Sequence, residues 1–269
     1  MSVPAYQRLA DDLRDAIGRG EFKPGDTLPR LTDLMARYEV SKATAADAVA
    51  VLESQGLVDA VRGRGTVVRV QPARRQLSRH RMVFRGSGGY FFDLASQPLT
   101  ALGQPEVCWG RAPGDIADLL GIDPGEEVVV REQVLGDAQT GRPVQISTSY
   151  LPSGIARGTR LTQAGLAAGE FYDLLEEMRG ALRWTEAVGA RMPTPAETAV
   201  LGLGKGVALL RIVRTAIGPD SVVLEVEESR LSAAEWEVGY DLTRHQSARQ
   251  QDAGRAPHHA PRRRRRRPG

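Results

Sequence analysis

Three helical periodicities followed at once by two short β-patterned runs fill the first 70 residues, and this order constrains the fold more than any other feature of the chain. Residues 4–19 place Tyr6, Leu9, Ala10, Leu13 and Ile17 on one stripe of an amphipathic helix. Gly18 and Gly20 end it, and Pro24-Gly25-Asp26 signals a turn. A short second helix turns Leu31, Leu34 and Met35 inward and ends near Tyr38. Ser41 is placed to cap a third, running to about Gln55, with Ala45, Ala48, Val49 and Leu52 as its apolar face and Gly56 as its stop. The runs 57–61 and 66–70 then flank Arg62-Gly63-Arg64-Gly65, whose glycines supply positive-φ turn positions.

Helix, helix, helix, hairpin in this span is the layout of a winged helix-turn-helix. Such a unit meets base edges in the major groove with the start of its third helix, here Lys42, Ala43, Thr44 and Asp47. Its small hairpin tip, carrying the Arg62 and Arg64 guanidinium groups, suits the minor groove and its phosphates. Either arginine could instead be a solvated turn charge, and a unit of this shape can also bind protein. Charge follows the same division. Residues 1–85 carry 15 Lys+Arg against 10 Asp+Glu, residues 86–244 carry 13 against 22, and residues 245–269 carry 8 against 1. A basic front and an acidic body imply modules with different partners. Arginine dominates lysine throughout, as a GC-rich genome alone would produce.

Residues 71–85, with five arginines and no acid, read as a basic linker. The pattern then changes to strand-like runs at 105–110, 127–135, 143–150, 182–192, 207–217, 221–231 and 236–242. The second pairs with the third, and the fifth with the sixth, as antiparallel hairpins across Gly-rich turns. Short helices fall at 113–120, 170–179 and 195–201, the second with a stripe of Phe171, Leu174, Leu175 and Met178. This predicts an α+β domain with a mainly antiparallel sheet over 86–244, behind a DNA-binding unit at 1–70. Residues 245–269, with the Arg262–Arg267 run, are too polar to order themselves and read as a disordered tail. It either attracts phosphates without sequence preference or merely solubilises the chain end.

Several chemistries are excluded. Hydrophobic residues make up 41% and charged ones 26%, as in ordinary soluble folded chains. No apolar run is long enough for a transmembrane helix, and the N-terminus lacks an apolar signal region, so cytoplasm is the expected compartment. The single Cys108 and four histidines, three of them late in the chain, give no disulfide framework, no metal site and no expected cofactor. No G-x-S-x-G or H-E-x-x-H occurs. Gly202-Leu203-Gly204-Lys205-Gly206 departs from the phosphate-loop pattern and reads as a helix-to-strand turn.

Beyond these patterns, Pro24-Gly25-Asp26-Thr27-Leu28-Pro29, Val40-Ser41-Lys42-Ala43-Thr44, Leu52-Glu53-Ser54-Gln55-Gly56-Leu57-Val58 and Gly63-Arg64-Gly65-Thr66-Val67-Val68 together resemble the N-terminal domain of GntR-family bacterial transcription regulators over residues 4–70. The resemblance implies DNA contacts from Arg30, Thr32, Ser41, Lys42, Thr44, Arg64 and Gly65, with Arg62 and Gly63 completing the wing tip. Leu31 and Thr32 stand where the family often has an acid and Arg, and Ala46 where it often has Arg, so two familiar guanidinium contacts are missing.

The segments Ala117–Val128, Arg142-Pro143-Val144 with Ser149-Tyr150-Leu151-Pro152, Phe171–Glu176, Leu201-Gly202-Leu203 and Glu225 resemble the UTRA effector domain of the HutC-type subfamily, similar in fold to chorismate lyase. That resemblance implies a small-molecule pocket on the sheet with Arg131, Gln133, Ser147, Thr148 and Glu225. Gln133 replaces a common second arginine and Ser147 a frequent glutamate, which argues against a simple sugar phosphate. Arg131 could equally pair with Glu132 or Glu225 as a purely structural ion pair, Ser147 and Thr148 could be plain strand residues, and Glu225 could be solvated. The expectation is a ligand-responsive regulator, a repressor released from its operator by a small-molecule effector. It would bind double-stranded DNA as a homodimer with third helices roughly 34 Å apart. A chorismate-lyase-like enzyme with an accessory DNA-binding arm is the alternative.

Overall fold

The computed structural model describes residues 3–70, 74–79, 83–86, 89–91, 99–166 and 168–242. The expected Arg-rich tail lies outside the described residues. In the N-terminal unit the helices are α1 (Ala5–Gly18), α2 (Leu31–Tyr38) and α3 (Lys42–Ser54). The antiparallel wing follows as β1 (Val58–Val61) and β2 (Gly65–Val68). Their apolar stripes meet in one core: Leu9, Ala10 and Leu13 of α1, Leu34 of α2, Ala45, Ala48, Val49 and Leu52 of α3, with Val58 and Val68 from the wing. Leu31 packs only partly against it. Residues 25–28 lie along β2 through a Thr27–Val67 bridge and a 2.8 Å bond from Val68 N–H to the Asp26 carbonyl. The Pro24-Gly25-Asp26 turn is thereby held against the Val68 end of β2, at the base of the wing.

Ser41 caps α3, its Oγ accepting from Thr44 N–H at 3.2 Å, and Glu39 in the left-handed region (φ 53°) ends α2. Ser41→Ala is expected to lower stability by about 1 kcal/mol in urea denaturation, the usual cost of a lost N-cap.

The C-terminal unit begins earlier than its charge pattern implies. Residues 75–79, expected as linker, form strand β3 (Arg75–Arg79), and β4 (Phe84–Gly86), β5 (Gly89–Phe91), β6 (Leu99–Ala101) and β7 (Glu106–Arg111) follow. Then come α4 (Gly114–Leu120), the long hairpin β8 (Glu127–Asp137) and β9 (Pro143–Pro152), and the short α5 (Ser153–Ala156). The chain continues through α6 (Ala168–Arg179), β10 (Arg183–Arg191), α7 (Pro195–Leu201), β11 (Leu209–Ile217), β12 (Val223–Ser232) and β13 (Trp236–Tyr240).

β3 pairs parallel with β13, and its Leu77 is buried with Trp236, Val144, Ile212 and Leu231. One apolar residue between arginines carries too little periodicity to announce such a strand, whose partner lies some 160 residues away. The main sheet has seven strands in the order β10-β11-β12-β9-β8-β6, with β7 also on β8, and every pairing is antiparallel. One face is covered by α6 and the 155–166 segment, through Phe171, Tyr172, Leu175, Leu161 and Leu166 over Val129, Leu151, Ala216 and Leu224. The other carries α4, whose Ile116, Ala117 and Leu120 pack on Val128, Val213 and Val226, and α7, whose Leu201 meets Ile146 and Leu209. The sheet is therefore a middle layer, and side-chain alternation along each strand decides which face a residue serves.

The 202–206 run is indeed a helix-to-strand turn, with Gly202 capping α7 in the left-handed region. It also touches the N-terminal unit. Arg69, just past β2, forks onto Asp59 at 3.0 and 2.5 Å and donates to the Lys205 carbonyl at 2.8 Å. Lys205 Nζ lies 3.5 Å from Glu53 near the end of α3. Gly206 (φ +70°) packs against Ser54 and Gly56 so closely that a Cβ would overlap their backbone atoms.

Candidate functional site

The start of α3 stands free of its own body. Lys42, Ala43, Ala46, Asp47 and Ala50 are exposed along one outer face, while Thr44 is half-buried with its hydroxyl 2.9 Å from that of Ser41. Ser41 and Thr44 thus first build the helix start. The unpaired N–H groups and dipole at that end favour anions, and Lys42 sits beside them. Arg30 and Thr32 are exposed at the head of α2, where Asp33 Oδ2 accepts from Arg30 N–H at 3.2 Å. In the wing tip Gly63 and Gly65 take φ values of 79° and 99°, conformations that favour glycine, and Arg62 and Arg64 are exposed. The Arg64 guanidinium donates to the Gly25 carbonyl at 2.6 Å. The α2 head, the α3 start and the wing arginines are all solvent-facing, whereas Arg69 is consumed by Asp59 and Lys205.

The effector-side candidates gather around a cavity of about 440 Å³, within the small-molecule range. Arg131, Gln133, Ser147 and Glu225 all line it. Arg131 donates to the carbonyls of Gln163 (2.6 Å) and Leu166 (3.3 Å), and its guanidinium stands 5.6 Å from the Phe171 ring centre. Burial lowers its pKa from the usual guanidinium value, and the Glu225 charge offsets part of that. It therefore fastens the 163–166 loop over the cavity. Gln133 donates to the Gly103 carbonyl at 3.3 Å.

Thr148 is a correction. Adjacent strand residues face opposite ways, so it lies on the far face, bonded to Glu132 at 2.9 Å and to Arg230. Period 2 through Ser147 selects Ser149, which lines the cavity, and period 2 through Glu225 selects Glu227, which does too. Tyr172 and Phe171 of α6 complete the wall, ring to ring at 5.3 Å in an edge-on pair. Strand alternation along β9 and β12 carries the signal for Ser149 and Glu227, whereas Phe171 and Tyr172 sit on a helix whose apolar stripe also packs into the core.

The two carboxyls differ. Burial raises Glu227, but Arg214 beside it and the Ser147 and Ser229 hydroxyls more than reverse this, so its pKa falls below the usual value. Arg214 donates at 2.8 Å, Ser147 at 2.6 Å and Ser229 at 3.1 Å. Glu225 is 1% exposed, and burial, then the charge of Glu227, push its pKa up to about 7 against the pull of Ser149, Tyr172 and Arg214. Burial also raises the Tyr172 phenol well above its ordinary value.

The opposite face carries a second charged assembly. Glu197 of α7 accepts from Arg191 at 2.6 and 2.7 Å and from Arg230 at 3.0 Å. Arg230 reaches Glu132 at 3.1 Å, and Arg211 joins Glu228 to Asp115 of α4. Among the described residues no group of three or more His, Cys, Asp or Glu is placed to hold a metal, and no helix is long and apolar enough to cross a membrane.

Comparison with known proteins agrees with this division. Residues 5–68 match the bacterial regulatory proteins of the gntR family, and residues 106–235 match the UTRA domain. An HTH-type transcriptional regulator of Streptomyces coelicolor is 29% identical over 244 residues, 83% of this chain and 87% of its own. The HTH-type transcriptional repressor NagR of Bacillus subtilis is 24% identical over 230 residues, 79% of this chain and 84% of its own. A crystal structure described as that of a GntR-family transcriptional regulator superposes with a TM-score of 0.66 at 30% identity, covering 90% of this chain and 98% of its own. With an exposed helix-turn-helix edge at one end and a walled cavity at the other, the chain belongs to the GntR family, carries a UTRA domain, and is a ligand-responsive DNA-binding transcription regulator.

Proposed function

We propose that the protein is a repressor that leaves its operator when a small molecule fills the cavity over the main sheet. It works as a homodimer in the cytoplasm and turns over no substrate. Residues 1–70 read DNA, and the domain to Leu242 senses the effector, with β3 belonging to the sensor. Lys42 and Thr44, behind the Ser41 cap, enter the major groove, Arg30 and Thr32 approach the backbone, and Arg62-Gly63-Arg64-Gly65 lie along the minor groove. Arg131, Gln133, Ser147 and Glu225 bind the effector, joined by Ser149, Tyr172, Phe171 and Glu227.

The observation that carries the reading is the join between the units. The end of α3, the helix that reads DNA, abuts the 202–206 turn of the sensing domain through Gly206, Lys205 and Arg69. A ligand acts only through its differential affinity for two states. A shift of α7 and its turn would re-aim α3 and change the spacing of the two half-site readers.

The test is operator release. DNA selected from a random pool is titrated with the full chain, and complexes are then exposed to fractionated metabolite extract. Release by at least one fraction, with no compound consumed, is the expected result; retention in every fraction, or turnover of a compound, defeats the reading. Arg131→Ala is expected to keep operator affinity but need about 30-fold more of the releasing fraction, since two loop-fastening hydrogen bonds, each of about 1 kcal/mol, are lost. An unchanged release curve would remove Arg131 from the site.

A further inference from the structure

The cavity lacks a donor rather than an acceptor. Arg131 is the only cation among its described lining residues, and both terminal nitrogens already donate to the Gln163 and Leu166 carbonyls. Glu227 is satisfied on both oxygens, by Ser147 and Ser229 on one and Arg214 on the other. Glu225 is not. Ser149 and Tyr172 reach its carboxyl, yet Oε2 is buried without a hydrogen-bond partner. A buried acceptor left unpaired is costly, and native proteins rarely keep one without a reason. A phosphate or carboxylate placed here could pair with Arg131, but it would leave that Glu225 oxygen without a donor and set a second negative charge beside it, Arg214 being ion-paired to Glu227. A ligand bringing N–H donors would instead meet the one acceptor that lacks a partner, with the Phe171 and Tyr172 rings beside it.

We infer that the effector carries a protonated amino group that docks on the Glu225 carboxylate, with an apolar body against Phe171 and Leu166. This rests on the reading of the cavity as the effector site and names the chemical class the site takes. The groups that face Glu225 are Glu227 on its own strand, Arg214 on β11, Arg131 on β8 and Tyr172 on α6, with Glu186 and Arg79 ion-paired to the Arg214–Glu227 pair or to each other. Because the carboxyl titrates near 7, an ammonium group binds the ionised form and displaces a proton to solvent from the protonated fraction. Amine affinity therefore rises with pH until the carboxyl is fully ionised.

The test is calorimetric titration of the full chain with three matched probes: 2-phenylethylamine, 2-phenylethanol and phenylacetate. The amine is expected to bind roughly tenfold or more tightly than the other two, about the effect of one pKa unit of charge preference. Its affinity should climb about tenfold between pH 6 and pH 8, over which the amine stays protonated. Glu225→Gln should abolish the preference; should that variant not fold, the pH series on the unaltered chain decides. If the alcohol or the acid binds as tightly as the amine, the class is wrong while the pocket stands. If amine affinity is flat across the pH range, or no heat accompanies the amine at millimolar levels, the inference falls as well. The pocket reading is judged separately by operator release.

Discussion

A chain carrying Lys42→Ala together with Arg64→Ala is expected to bind operator DNA at physiological salt about 100-fold or more weakly, with its thermal transition nearly unmoved. The expectation follows from placement. Lys42 is the first residue of α3 and fully outside the core that Ala45, Ala48, Val49 and Leu52 build. Arg64 stands on the wing, and its internal bond, to the Gly25 carbonyl, is at an exposed position. Neither truncation opens a cavity or strands a buried group, so the fold persists. Each side chain lost from a nucleic-acid interface costs about 1–3 kcal/mol, and losses on separate elements that share no partner add nearly independently. If both contacts go to phosphates, the slope of log affinity against log salt should flatten by about 2. Arg69→Ala is the internal contrast. Its guanidinium is spent on Asp59 and Lys205, so its loss should disturb the join between units without changing that slope. Unchanged affinity in the double variant would show that α3 and the wing are not the reading surface.

The front unit was legible because its signals are local and agree with one another: the Ser41 cap, the apolar stripe of α3, the Gly56 stop and the glycines of the wing each fall within a turn or two of what they organise. The long hairpins of the sensing domain were legible for the same reason. β3 was not, since Leu77 draws its burial from Trp236 and Leu231 far along the chain. The cavity was half legible. Resemblance picked four lining residues, and elementary strand alternation would have replaced Thr148 by Ser149 and added Glu227. Tyr172 was invisible as a site residue because a helical aromatic beside Phe171 and Leu175 reads as core, which it also is. The Arg191–Glu197–Arg230 assembly could not be read at all. Its partners come from β10, α7 and β12, and isolated charges in a sequence do not reveal which others they meet.

That assembly yields the second large effect. Glu197→Ala is expected to destabilise the sensing domain by about 3–5 kcal/mol, because it removes the carboxylate from beneath Arg230, a side chain only 9% exposed, and leaves that charge without its most buried partner. Glu197 also closes the start of α7, accepting from Thr194 N–H at 2.8 Å, so the helix loses that half of its capping box with the ion pair, while the Thr194 hydroxyl still caps the N–H of residue 197. The Arg191 hydrogen bonds, foremost, with the Thr194 N–H and Arg230 and against the effect of burial, hold the carboxyl at about 2. A depressed carboxyl gives its full stabilisation above the unfolded value, near 4.3, and loses it as pH falls toward 2, roughly 3 kcal/mol in all. Urea denaturation at pH 7 and pH 3 separates the contributions. The unaltered chain should lose part of that stability at pH 3, whereas Glu197→Gln, already weaker at pH 7, should lose correspondingly less. Since α7 runs directly into the turn that abuts α3, the same variants should blunt operator release more than operator binding, because the residues of the front unit are unchanged. Stability within about 1 kcal/mol of the unaltered chain for Glu197→Ala would mean that Arg230 finds enough support in Glu132 and Glu228 alone, and that α7 is held by its apolar contacts.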